Sequence, residues 1–367
     1  MIRMSSFNEQ LLLQLLQTCA NAEPQPLYPA RFAREANIER GALDRCLDEL
    51  RRRGLVKLTE WVREFGQGCE LTDAGRHALA VKKLTSKAPA APETSTSAPG
   101  AYDRGEIVRD SVFYPAKPVV GRFLLAINIA YFLLGALYAG YHDLSVGDYL
   151  AGRDGDENRT TTKVLDDLGG LIPSRIVNRG VGEAVGRRPE FERILLASFL
   201  HAGLLHLGMN MYFLATIGSI IESMWDRWRF LAIYLLAGII SGCIVLLLLI
   251  GQQRNALTIG ASGSMFGLFA SLVVWFTLNY QYLPPQVIDA FKRNLGVNLV
   301  LLVAINFVPG VSWQGHLGGA IGGAIVALLL NAERFHPSAA VRWLALAAVP
   351  VVPVAFFVGV LWMSGWL

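Results

Sequence analysis

The sequence predicts an all-α polytopic membrane protein that is preceded by a small soluble α+β domain. Of its 367 residues, 53% are hydrophobic and only 17% are charged, whereas about 25% of residues are charged in an average soluble protein. The apolar residues are concentrated after residue 120, which separates a soluble part from a membrane part. The formal net charge of +4 is too small to indicate binding to nucleic acid or to anionic lipid.

We expect the chain to have four parts. Residues 1–84 form the soluble domain, 85–118 a flexible linker, 119–335 a core of six transmembrane helices and 336–367 a seventh transmembrane helix. The linker begins with TSKAPAAPETSTSAPG, which is too polar and too rich in proline to bury a core.

The soluble domain shows the order helix, helix, helix, strand, strand, helix. Leu43, Leu47 and Leu50 fall on one face of the third helix. Thr72 stands where it can cap the last helix, which begins with DAGRHAL.

Seven apolar segments follow the linker. A membrane-spanning helix needs about 20 apolar residues, so the two short segments are expected to be inner helices shielded by their neighbours. In chain order, the segments are residues 123–140, 194–221, 230–251, 257–279, 295–308, 315–330 and 343–363.

The short connections indicate an orientation with the N-terminus in the cytoplasm. Cytoplasmic loops are enriched in Lys and Arg, and in this orientation the outer short loops carry only Arg254. The long loop 141–193 would lie on the outer side although it carries eight Lys and Arg residues, which is contrary to this rule. Loops of that length, however, follow the rule poorly. The cations on the cytoplasmic side are Arg227, Arg229, Lys292, Arg293, Arg334 and Arg342.

Four polar residues are predicted to lie at a similar depth near the outer face. The second, fourth and sixth segments all enter the membrane from that side, and they carry His206 and Asn210, Ser262, and His316 near their starts. Polar side chains within membrane spans are costly and are candidates for function. His206 and Asn210 share a helix face, while His201 would point about 140° away around the same helix.

Glycines at every fourth position accompany Ser262 and His316. Gly263 and Gly267 follow the serine, and Gly315, Gly319 and Gly323 surround the histidine. This spacing allows close helix contact in lipid, so the serine and the histidine could come within hydrogen-bonding distance, as an activated nucleophile requires.

Simpler interpretations exist for each residue taken alone. A serine in such a helix is commonly a packing residue, and a membrane histidine is often structural. A metal site is not favoured, because the chain has no HExxH motif and no carboxylate near these residues within the spans. We therefore expect no metal and no cofactor.

Three motifs together resemble the rhomboid family of intramembrane serine proteases. They are FLHAGLLHLGMNM at 199–211, GASG at 260–263 and GHLGGAIGG at 315–323. The resemblance covers about residues 120–335 and implies a rhomboid core of six helices, here followed by one more (6+1). It also implies transmembrane proteins as substrates. We expect an integral protein of the bacterial inner (plasma) membrane, with the active site on the extracytoplasmic side.

The resemblance also implies roles for individual residues. Ser262 would be the nucleophile and His316 the general base, with no acidic third residue. The backbone N–H of Ser262 and the side chains of His206 and Asn210 would bind the oxyanion, and Phe266 would lie under the His316 ring. The supporting residues would be Gly260, Gly263, Gly319 and His201, the last in a structural role.

Two positions depart from the family pattern. Glu192 precedes Arg193 where the family often has Trp-Arg, and Phe266 stands where a tyrosine is common. Neither change removes a reactive group, so they bear on gating and on the choice of substrate.

The soluble domain resembles a winged-helix domain. The resemblance rests on LDELRRRGLVKL at 47–58 and ELTDAGRHAL at 70–79, and it implies possible DNA binding. Residues 1–83 hold 13 Lys and Arg against 11 Asp and Glu, whereas a nucleic-acid module usually has a clear basic face. Nucleic acid therefore stays open as a partner, but the charges favour a protein-interaction or regulatory role.

Two alternative functions remain. The chain could be a non-catalytic rhomboid-like protein that binds membrane clients, which loss of the serine or the histidine would favour; both are present. It could also be a membrane-tethered winged-helix regulator.

Overall fold

The computed structural model divides the chain into two compact units. The first unit comprises residues 1–114, 282–284 and 337–339, and the second comprises the rest. The structure describes residues 9–62, 65–84, 101–113, 115–154, 160–177, 188–283 and 285–367.

The first unit is a small domain in which helices surround an antiparallel two-stranded sheet. Leu43, Leu47 and Leu50 are buried in its core, and Thr72 Oγ1 accepts a hydrogen bond from the Gly75 N–H at 3.1 Å and so caps the last predicted helix. The predicted order of elements is confirmed, while the winged-helix assignment stays a prediction. The elements are α1 (Glu9–Ala22), α2 (Pro29–Glu35), α3 (Arg40–Arg52), β1 (Val56–Val62), β2 (Gly66–Leu71), α4 (Asp73–Ala80) and α5 (Ala101–Phe113).

Helix α5 corrects part of the predicted linker over residues 85–118. Val108 of this helix is buried, and Arg109 Nη2 donates to Oε1 of Gln67 on β2 at 2.6 Å. Residues 101–113 are helical because the segment has an apolar position to bury and a cation with a partner in the first unit. The Pro-rich stretch 85–100 lies outside the described residues.

The second unit consists of helices joined by loops, as far as its residues are described. A π-helical turn, Leu214–Gly218, joins α10 and α11 into one continuous helix. The helices are α6 (Val120–Tyr141), α7 (Val146–Ala151), α8 (Thr160–Asp167), α9 (Arg193–Leu196), α10 (Gly203–Phe213), α11 (Ser219–Trp225), α12 (Arg227–Gly251), α13 (Ser262–Asn279), α14 (Pro285–Ala304), α15 (Trp313–Phe335) and α16 (Ala339–Met363).

Six helices among the described residues are long and apolar enough to cross a membrane. They are α6, the continuous α10–α11 helix, α12, α13, α15 and α16. Helix α14, which contains most of the fifth predicted segment, is not among them; Asp289, Lys292 and Arg293 lie in its first half. Six crossings are therefore supported, among them the one at the C-terminal helix α16, while a crossing by the fifth predicted segment, residues 295–308, stays a prediction.

The second crossing helix begins later than the sequence predicts. A 3-10 turn at Ala197–Phe199 precedes it, Leu200 is extended, and the helix starts at Gly203, whose φ of 85° lies in the left-handed region. The predicted segment 194–221 is thus corrected to Gly203–Trp225, because this turn redirects the chain before the helix forms.

Helices α13 and α15 pack backbone against backbone. A Cβ atom at Gly319 would lie 1.9 Å from the Gly263 carbonyl oxygen, and one at Gly323 would lie 2.3 Å from that of Gly267. The predicted use of these glycines for close helix contact is therefore confirmed.

Candidate active site

Ser262 and His316 meet at the adjoining starts of α13 and α15. Ser262 is the first residue of α13, and His316 is the fourth residue of α15, which Ser312 caps by accepting the Gly315 N–H. The distance between Ser262 Oγ and His316 Nε2 is 2.9 Å. Two residues that are 54 positions apart in the chain are thus in hydrogen-bonding contact.

The segment that leads into Ser262 is held by backbone hydrogen bonds. Leu171 and Thr258 exchange two of them, at 3.0 and 2.9 Å, and the Gly260 N–H donates to the Ala197 carbonyl at 2.8 Å. Gly260 has a φ of 114°, which favours glycine strongly. These contacts fix where α13 begins and therefore where the serine lies.

The His316 ring has neighbours on three sides. Besides Ser262 at Nε2, the Phe266 ring stacks on it with centroids 4.0 Å apart and planes 10° apart. Oδ1 of Asn306 lies 2.7 Å from its Nδ1. The face and both nitrogens of the ring are therefore engaged, and the ring itself is buried.

The sequence analysis did not single out Asn306. It is an amide near the end of the fifth predicted apolar segment, three residues before Pro309. A polar side chain within an apolar segment is a signal that could have identified it.

His206 lies against the loop that precedes Ser262. Its Nδ1 accepts a long hydrogen bond, 3.4 Å, from the Ala202 N–H, which leaves Nε2 to carry the proton of a neutral ring. A Cβ atom at Gly260 would lie only 2.8 Å from His206 Nε2. Glycine at position 260 therefore makes room for this N–H donor.

Asn210 follows His206 on the same helix and is buried. Its Nδ2 donates to the His206 carbonyl oxygen at 3.0 Å. Among the described residues it has no hydrogen bond to Ser262 or His316, so the structure brings those two together and leaves Asn210 one helical turn beyond His206.

His201 lies closer to His206 than the sequence predicts. The two ring centroids are 5.1 Å apart in an edge-to-face arrangement, because His201 precedes the helix and the angular argument that separated them does not apply. His201 is fully buried, and its Nδ1 lies 3.2 Å from the Phe199 carbonyl oxygen.

Ser241 on α12 is a further residue that the sequence analysis missed. Its Oγ donates to the Gly315 carbonyl oxygen at 2.7 Å, and a Cβ atom at Gly263 would lie 2.3 Å from that Oγ. It therefore ties the start of α15 to α12 beside the serine–histidine contact.

The donors around the site are hydroxyls, amides and imidazoles. Among the described residues, no three His, Cys, Asp or Glu side chains are grouped so that they could hold a metal ion. This arrangement of groups is suited to acyl transfer by a serine nucleophile and a histidine base.

Comparison with known proteins shows what this part of the chain is similar to. Residues 188–333 match the Rhomboid domain. The chain is 32% identical to the rhomboid protease GluP of Bacillus subtilis over 226 residues, which are 60% of this chain and 36% of that protein. It is also 31% identical to RHOMBOID-like protein 4 of Arabidopsis thaliana over 170 residues, 45% of this chain and 38% of that protein.

A third relative bears a different name. The chain is 30% identical to inactive rhomboid protein 1 of Danio rerio over 178 residues, 48% of this chain and 19% of that protein. The chain spans about one fifth to two fifths of the length of these three curated relatives. The six apolar helices support an integral membrane protein, and residues 188–333 of it are similar to the Rhomboid domain and to the named relatives.

Proposed function

We propose that the chain is an intramembrane serine protease of the rhomboid type, which cleaves peptide bonds near the outer ends of transmembrane helices in membrane-protein substrates. The observation that carries this proposal is the 2.9 Å contact between Ser262 Oγ and His316 Nε2. The similarity to a relative named as a protease supports it.

Ser262 and His316 supply the nucleophile and the base. As Ser262 Oγ bonds to the scissile carbonyl carbon, its proton passes to His316 Nε2. The same proton then goes to the leaving amine as the C–N bond breaks, and the acyl group stays on Oγ. Water activated by His316 next attacks the acyl carbon, which releases the new carboxylate and restores the serine.

The oxyanion that forms on the carbonyl oxygen needs hydrogen-bond donors. Ser262 is the first residue of α13, so its N–H has no acceptor within the helix and lies at the positive end of the helix dipole. The Nε2–H of His206, which lies against Gly260, and the Asn210 amide complete the set. Donors that are fixed before the reaction stabilise such a charge without reorganisation.

Substrate choice follows from the chemistry of the bond to be cut. A hydrogen-bonded helix shields its carbonyl carbons, and hydrolysis requires water, which the bilayer core lacks. The substrate is therefore a membrane protein whose spanning helix is weakened near its outer end, where it can unwind toward a site that water reaches.

Asn210→Ala is expected to lower kcat about 100-fold, the usual effect of removing one oxyanion donor, with little change in KM. We expect kcat to fall while KM stays nearly constant, because the interaction forms only in the transition state. Cleavage of a transmembrane substrate in liposomes measures both constants. Asn279→Ala is the matched control, since Asn279 is also buried and makes the same kind of bond, Nδ2 to the Trp275 carbonyl at 2.8 Å. An equal loss of kcat in both variants would show that Asn210 does not bind the oxyanion.

The alternative is a rhomboid-like protein that binds membrane clients without cutting them. One relative is named as inactive, which is the reason to consider this alternative. The presence of both Ser262 and His316, in contact, favours catalysis here.

Covalent labelling of the full chain tests the proposal directly. In detergent micelles, a fluorophosphonate should form an adduct on Ser262, with fluoride as the leaving group, because only an activated serine reacts rapidly. Mass spectrometry maps the adduct, and Ser264 on α13 and Ser241 on α12 serve as internal controls. Absence of an adduct on Ser262, together with absence of substrate cleavage, would overturn the protease assignment and favour the client-binding alternative.

The finer architecture is part of the same proposal. Residues 119–335 form the six-helix core and 336–367 the seventh crossing, with the N-terminus in the cytoplasm and the site facing the outer side. The first unit is a winged-helix-like regulatory domain, supported by its order of helices and strands.

A further inference from the structure

Asn306 is a third residue that is linked to the pair of Ser262 and His316, through its contact with His316. Oδ1 of Asn306 lies 2.7 Å from His316 Nδ1, on the side of the ring opposite the Ser262 contact at Nε2. The distance is short for a hydrogen bond between neutral groups. A group in this position can control both the orientation of the ring and the nitrogen that carries its proton.

The amide of Asn306 is oriented by its own helix. Its Nδ2 donates to the Leu302 carbonyl oxygen at 2.7 Å and lies 3.4 Å from that of Val303. The reversed amide would place Oδ1 against these carbonyl oxygens, acceptor against acceptor. The helix therefore holds Oδ1 toward His316.

An acceptor at Nδ1 fixes the tautomer of a neutral imidazole. Because Oδ1 only accepts, Nδ1 must carry the proton, and Nε2 keeps a free lone pair. That lone pair lies 2.9 Å from Ser262 Oγ, where the base must receive a proton. Phe266 stacks on the ring and limits its tilt.

We infer that Asn306 is a positioning residue that acts through His316, an inference that rests on the proposed protease function. It holds the imidazole with Nδ1 protonated and Nε2 toward the serine. When Nε2 accepts the serine proton, both ring nitrogens carry hydrogen, and the Nδ1–H continues to donate to Oδ1. Asn306 takes no proton itself, and its carbonyl dipole stabilises the imidazolium.

A chain reversal creates this contact. Asn306 lies in the 3-10 turn Ile305–Phe307 that follows α14, and Gly310 has a φ of 83° within the turn that leads to Ser312 and α15. The reversal places a residue ten positions before His316 beside its ring.

Two substitutions separate positioning from a merely structural role. Asn306→Ala removes both the acceptor for Nδ1 and the donor to Leu302. Asn306→Asp keeps an oxygen acceptor toward Nδ1 but loses the donor to Leu302. Asn298→Ala is the matched control, because Asn298 on the same helix makes, among the described residues, only the local bond of its Nδ2 to the Asn294 carbonyl at 2.8 Å.

The measurements are kcat and KM for a transmembrane substrate in liposomes, and the rate of fluorophosphonate labelling at Ser262. Asn306→Ala should lower kcat and the labelling rate by about 10- to 100-fold, as small misplacements of a catalytic group do, with KM unchanged. Asn306→Asp should recover most of both rates, and Asn298→Ala should match the wild type. A structural role predicts the opposite order, with Asn306→Asp as slow as Asn306→Ala or slower, and that order overturns the inference.

A second measurement needs no variant of Asn306. The ¹⁵N shifts of the His316 ring, identified by their loss in His316→Ala, should report a protonated Nδ1 in the resting protein. A protonated Nε2 would refute the positioning role even if Asn306→Ala failed to fold.

Failure of the inference is distinguishable from failure of the proposed function. If Ser262 is labelled in the wild type and equally fast in Asn306→Ala, the protease assignment is supported and the positioning role of Asn306 is refuted. If wild-type Ser262 neither reacts nor cleaves substrate, the protease assignment falls, and with it the role of Asn306.

Discussion

Ser262→Ala and His316→Ala are each expected to lower the cleavage rate of a transmembrane substrate by at least about 10⁴-fold. Without Ser262 no acyl intermediate can form, and without His316 its hydroxyl has no base to take the proton across the 2.9 Å contact. Site-resolved cleavage in liposomes, followed by gel and mass spectrometry, measures the rates.

The double variant Ser262→Ala/His316→Ala should be no slower than either single variant, because the two residues act as one unit. Ser264→Ala is the matched control: it removes a buried hydroxyl two residues along the same helix that has no hydrogen-bond partner among the described residues. Wild-type cleavage by Ser262→Ala, or strictly additive losses in the double variant, would show that the contact is not catalytic.

Gly319→Ala is expected to destabilise the protein by about 3 kcal/mol, the upper end of the cost of overpacking. The new methyl group would lie 1.9 Å from the Gly263 carbonyl oxygen, and a backbone atom cannot move aside as a side chain can. Helices α13 and α15 must then separate, so activity should fall together with stability. Equilibrium unfolding in detergent, paired with the cleavage assay, measures both.

Gly296→Ala provides the control for this substitution. Nothing lies within 4 Å of a Cβ atom at Gly296, and this position is also inside a helix. Its free energy of unfolding should change little or rise slightly, since alanine favours helices over glycine. Equal stability of Gly319→Ala and the wild type would mean that the backbone contact between the two helices is not obligatory.

The sequence was sufficient to predict the central contact of the site. Ser262 and His316 each begin a glycine-rich helix, and the parity of crossings put both helix starts at one depth. Because these helices touch through their glycines, little freedom remained for the distance between the two side chains. The resemblance to the rhomboid family also implied that Phe266 would lie under the His316 ring, and the two rings are stacked.

Other features depend on chain reversals that apolar periodicity does not reveal. The contact of Asn306 with His316 requires the turn between α14 and α15, and the contact of His201 with His206 requires the left-handed backbone at Gly203. Helix α5 escaped prediction because it follows a Pro-rich stretch and its amphipathic pattern is weak. In each case tertiary contacts, rather than local preference, determine the outcome.

The glycine contact between α13 and α15 has a consequence for how this protein can evolve. Since contacts between main-chain atoms of the two helices set the distance between Ser262 and His316, substitutions on the outward surfaces of these helices leave that distance unchanged. Exposed apolar side chains such as Leu317 and Ile321 can therefore change while the contact between Ser262 and His316 is preserved. The same rigidity means that changes in what the protein recognises must arise elsewhere in the molecule.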